Sequence, residues 1–102
     1  MTIPDERGED SAALRQDVEA LHGALRELKE SADLDAEPLR ARVGSVAMTA
    51  QHVGVPPERL LVLLKGALRD GVPEQIGWWQ RRLLQGRVVR WALASYYGEA
   101  NN

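Results

Sequence analysis

The chain contains no cysteine and no phenylalanine, and only two histidines, two lysines and five aromatic residues among its 102. Without cysteine there are no disulfides and no thiolate metal sites. His22 and His52 lie far apart, with no Glu-x-x-His pair beside either, so no metal-ligand spacing is present. A phosphotransfer histidine on a helical bundle is the other use for such a residue. The "GALRELK" that follows His22 lacks the small residues expected around one. Serines 11, 31, 45 and 95 fall in capping or helix-face contexts rather than in a nucleophile motif. Nothing here points to an enzyme or to a cofactor.

Long apolar runs are also missing. The longest, Leu60 to Leu64, falls far below the roughly 20 residues of a membrane span. The opening "MTIPDERGED" is acidic and polar, unlike a signal peptide, and the chain reads as cytoplasmic with no membrane partner. Lys29 and Lys65 are the only lysines, so arginine supplies nearly all the positive charge, a bias that suits a GC-rich bacterial coding sequence. The net charge of −2 conceals a division. Residues 1–37 hold eleven acids and four bases; residues 38–102 hold nine bases and four acids. Opposite halves either neutralise each other, within the fold or across a dimer, or one of them serves a charged partner.

What is present is helical periodicity. Residues 1–10, with Pro4 and Gly8 and one large apolar residue, read as a disordered acidic tail. A first helix is predicted from Ser11 to Ser31, capped by Asp10 or Ser11. Leu14, Val18, Leu21, Leu25 and Leu28 step by four and three, a short heptad seam with leucine at d and valine or leucine at a. A second helix is predicted over 36–52, with Asp35 as its cap, Pro38 in its first turn and Gly54 as its stop. Its apolar positions Leu39, Val43, Val46, Ala50 and Val53 repeat the same step, and the small Gly44, Ser45 and Ala47 permit close approach. A third helix, Pro57 to Asp70, is apolar on most sides, which suits a central element or an interface. A fourth is predicted to open at Pro73 and Glu74, to run to Tyr97 and to include Gly77 and Gly86; 99–102 read as a frayed tail. The predicted fold is therefore all-α: one domain over 11–98, a small bundle of about four helices with short connections, open to completion by homodimerisation.

Two stretches invite a functional reading. The seam Leu14, Val18, Leu21, Leu25 and Leu28 is either a self-association or partner surface, or part of the chain's own core. The segment "GWWQRRLLQGRVVRWALASYYG" holds every aromatic residue, four arginines and no acid. Arg81, Arg82, Arg87 and Arg90 beside tryptophan suit a nucleic-acid grip. Their helical positions do not form one clean stripe, however. Ile76, Trp79, Leu83, Leu84, Val88, Trp91 and Ala92 read instead as a core face, with arginine stems along its edge and Arg81 and Arg82 turned to the acidic first helix. A helix-turn-helix across "SVAMTAQHVGVPPERLLVLLKGAL" is disfavoured, because its second helix offers few polar side chains to reach base edges. The function these patterns favour is a helical protein–protein interaction or regulatory module acting through apolar helix surfaces. Nucleic-acid binding through the four arginines is the alternative.

Overall fold

The computed structural model describes residues 11–28 and 37–98. Four helices follow one another: α1 (Ala12–Arg26), α2 (Glu37–His52), α3 (Pro57–Gly71) and α4 (Trp78–Tyr96), with no strand among the described residues. The stretch 1–10, the Asp35 cap and the tail 99–102 lie outside the described residues. No helix among the described residues is long and apolar enough to cross a membrane.

Local chemistry accounts for most of the boundaries. Ser11 caps α1, its hydroxyl accepting from the Leu14 N–H at 3.3 Å. The helix stops at Arg26 rather than running to Ser31. Its last turn tightens, with the Glu27 and Leu28 N–H groups reaching back three residues to Ala24 and Leu25, and Leu28 packs against the core. Gly54, at φ 87°, ends α2 in the left-handed conformation. The Val55 N–H then bonds to the Ala50 carbonyl and the Gly54 N–H to that of Gln51, a Schellman closure with Val55 buried behind it. Pro57 opens α3, where a missing N–H costs nothing.

The start of α4 departs from the sequence pattern. The helix begins at Trp78, not at Pro73, and Gly77 is its N-cap rather than an interior residue. Residues 73–77 instead form a turn that drops Ile76 into the core. The Gln80 side chain accepts from the Gly77 N–H at 3.1 Å. Burial of Ile76 and side-chain bonding of the turn replace the helical bonds that Pro73 and Glu74 were expected to start.

In the bundle α1 packs on α2 and α3, and α4 packs on the same two helices, so α1 and α4 sit on opposite corners. α1 and α3 run parallel: Leu14 and Val18 lie beside Leu63 at one end, His22 and Leu25 beside Gly71 at the other. α3 and α4 run antiparallel, with Lys65 near Val89 and Val72 near Arg81. One apolar core joins all four, built from Leu14, Leu21 and Leu25, from Leu39, Val43, Val46 and Ala50, from Leu60 and Leu64, and from Leu84, Val88 and Ala92. Two glycines sit where helices touch. A Cβ on Gly71 would stand 3.0 Å from the His22 ring and 3.2 Å from Leu25 Cβ; one on Gly44 would stand 3.2 Å from the Ser95 hydroxyl.

Polar ties also cross between elements of the bundle. The Thr49 hydroxyl donates to the Asp17 carboxylate, joining α2 to α1. The Tyr96 hydroxyl donates to the Val55 carbonyl at 2.7 Å, pinning the C-terminal end of α4 to the α2–α3 turn. Tyr96→Phe leaves that carbonyl without its donor and is expected to lower stability by about 1 kcal/mol. Urea unfolding of the two proteins checks it, and equal midpoints would show that the tie contributes nothing.

Candidate functional site

Helix α4 has two apolar faces. Leu84, Val88 and Ala92 recur every four residues and are fully buried against α2 and α3. Trp78, Trp79 and Leu83 belong to the other face and stand in water, at 72%, 56% and 45% exposure. The expected core face therefore divides. Ile76, Leu84, Val88 and Ala92 are inside, Trp91 is half-buried against the core, and Trp79 and Leu83 are outside. The reason is steric. At about 100° per residue, Trp79 and Leu83 lie more than a quarter-turn from the line of Leu84, Val88 and Ala92 that enters the core. With α2 and α3 already occupying that side, the outer residues have no neighbour.

The outward face continues along the helix. Arg82, Gly86 and Arg90 follow one another at four-residue spacing and are all exposed, as is Tyr97 beyond them. Tyr97 meets the ring of Tyr96 edge-on, with centroids 5.1 Å apart. A Cβ on Gly86 would meet nothing within 4 Å, so the middle of this face is open backbone. No aspartate or glutamate occurs anywhere in α4. Along its α3 side runs an open groove of about 440 Å³, lined by Lys65, Arg82, Gln85, Gly86 and Val89. It adjoins a smaller one that shares Lys65 and Gln85 and is closed by Arg69 and Arg81. Arg69 also lies 3.4 Å from Asp70, both well exposed, a pairing worth little in water.

The four arginines of this segment have separate fates. Arg81 is half-buried and turns to its own turn: its Nε donates to the Ile76 carbonyl at 3.1 Å, and one terminal nitrogen to those of Val72 at 3.3 Å and Pro73 at 2.7 Å. It faces the α3–α4 connection, not the first helix, because those three carbonyls converge within reach of its guanidinium. Arg87 is half-buried. Arg82 and Arg90 alone of the four are exposed, and they share one line of the helix. Lys65 of α3 shares a groove with Arg82, which no spacing within α4 announces; it arrives through the antiparallel packing of two helices.

The helix 1 seam lies elsewhere. Leu14, Leu21 and Leu25 are buried within the chain's own core, and Val18 and Leu28 are half-buried against it. Val18 also edges an apolar groove between α1 and α3. His22 is half-buried with its ring against Gly71, and His52 is exposed in the last turn of α2. Among the described residues no group of three or more His, Asp or Glu side chains is placed to hold a metal ion.

The outward face of α4 thus combines exposed aromatic and aliphatic side chains, flexible cations at the edge and an open glycine at the centre. No family model, curated protein or solved structure matches the chain.

Proposed function

We propose that this protein is a helical docking module whose outward α4 face binds an acidic amphipathic helix of a protein partner. One observation carries the reading: Trp78, Trp79 and Leu83 stand in water, grouped on a helix without a single acid. Large apolar side chains clustered at a surface mark contact sites. Tryptophan, tyrosine and arginine are also the residues on which interface energy concentrates. Gly86 lets a partner backbone approach closely. Arg82, Arg90 and Lys65 select for acids flanking the partner's apolar stripe. Pairing of this face with itself is disfavoured, since Arg82 and Arg90 of two copies would meet.

Nucleic acid is the weaker fit. A polyanion needs several exposed cations, and Arg81 is committed to the α3–α4 turn.

The test uses a synthetic amphipathic helix with leucine on one face flanked by glutamate, and a labelled DNA duplex, each titrated at low and at physiological salt. Every tryptophan of the chain lies in α4, so its intrinsic fluorescence reports coverage directly. Saturable peptide binding with a blue shift is expected, weakened about tenfold or more in the W79S/L83S variant. Absence of peptide binding at both salts would overturn the proposal. So would salt-steep DNA binding that the variant leaves unchanged.

A further inference from the structure

On the corner of the bundle opposite α4, the edge of α1 carries a second surface. Because α1 and α3 run parallel, they leave between them an apolar groove of about 190 Å³, lined by Leu14, Val18 and Leu63. Arg15 and Glu19 form its rim. The depression continues toward both ends of α1, past Ala12 and Gln16 on one side and past His22 and Gly23 on the other. Ala12 and Gly23 leave this border low, while Gln16, His22 and Arg26 stand along it beside the rim pair.

We infer that this groove is filled by a second copy of the chain, with the two α1 helices antiparallel about a two-fold axis. The rim supplies the argument. Arg15 and Glu19 are both exposed, one turn apart on one edge of the helix. Reversing a copy of that edge places arginine opposite glutamate and glutamate opposite arginine, so the surface is complementary to itself, as a two-fold interface requires. A parallel arrangement would set like charges together. Asp17, level with the axis along the helix, projects from the other side of α1, where its carboxylate accepts from Thr49 of α2, so it does not oppose its own copy. The apolar lining of each groove, Leu14, Val18 and Leu63, then meets that of the other copy. The dimer leaves both α4 faces pointing away from the axis, so it offers two docking surfaces and gains avidity for a partner that presents two helices.

The experiment is sedimentation velocity of the full chain over rising protein concentration, with R15E, E19R and R15E/E19R compared. All these side chains are exposed, and thermal melts at low concentration confirm that each variant is folded. The expected result is a monomer–dimer equilibrium, weakened about tenfold in each single variant by like charges and restored in the double. W79S/L83S should self-associate like the parent, whether or not α4 binds the acidic peptide. A chain monomeric at every concentration would overturn the inference. So would a dimer that the charge reversals do not move, or one lost on changing Trp79 and Leu83.

Discussion

Leu21→Asp is expected to abolish the cooperative thermal transition of this protein, while Leu83→Asp is expected to leave it almost unmoved. Leu21 is fully buried at the middle of the α1 seam, among side chains that offer its replacement no hydrogen-bond donor. A carboxylate there must be desolvated without a partner or take up a proton, and it also leaves the leucine's volume badly filled. Leucine-to-alanine changes in such places already cost about 2–5 kcal/mol. Domains of this size have only about 5–15 kcal/mol in all. Leu83, on α4, is 45% exposed, so the same exchange there costs about 0.5 kcal/mol or less. Circular dichroism melts of both variants make the comparison. A native-like melt for Leu21→Asp would mean that the α1 seam does not hold the bundle together.

Arg81→Ala is expected to cost about 2–4 kcal/mol, several times the effect of Arg82→Ala, although the two arginines are neighbours. Arg81 satisfies the carbonyls of Val72, Pro73 and Ile76 with one rigid guanidinium. Hydrogen bonds from a charged donor are among the stronger ones, and its removal leaves the Val72 and Ile76 carbonyls to find water and the Pro73 carbonyl with the Ile76 N–H alone. The turn they belong to sets where α4 begins and holds Ile76 in the core. Lysine should recover less than half of the loss, since a point-like ammonium on a flexible stem cannot reach the three carbonyls in the same fork geometry. Arg82 is exposed and has no such duty. Urea unfolding of the three variants measures the difference, and hydrogen exchange at residues 72–77 localises it. Equal costs for Arg81→Ala and Arg82→Ala would remove the clamp.

Arg81 also illustrates how far the sequence can be followed. In the chain it is one of four arginines around tryptophan, with nothing to separate it from Arg82. The distinction arises only when the α3–α4 turn folds and brings three carbonyls under one of the two side chains. Lys65 is the reverse case. It lies in an apolar helix remote from the arginine-rich segment, and the antiparallel packing of α3 on α4 carries it into the same groove as Arg82.

The parts legible beforehand were those governed by neighbours along the chain. The four-and-three step of Leu14, Leu21 and Leu25, and that of Leu39, Val43, Val46 and Ala50, marks one face of each helix, and those faces are buried. A helix turns by a fixed angle per residue, so spacing alone decides which side chains share a side. Ser11, Gly54 and Pro57 set helix ends for equally local reasons. Helix α4 escaped this logic because apolar residues surround most of it. Spacing offers both the Leu84 line and the Trp79 line as candidates for the interior, and local rules do not rank them. Packing does: α2 and α3 close over one line, α1 occupies the far corner, and no helix remains to cover the other. The four helices and the ends set by Ser11, Gly54 and Pro57 thus follow from the sequence by itself, whereas the stop of α1 at Arg26 and the start of α4 at Trp78 do not. Which tryptophans meet water, which arginine closes a turn and which cations share a groove are properties of the assembled bundle, because each depends on a neighbour that is distant in the chain.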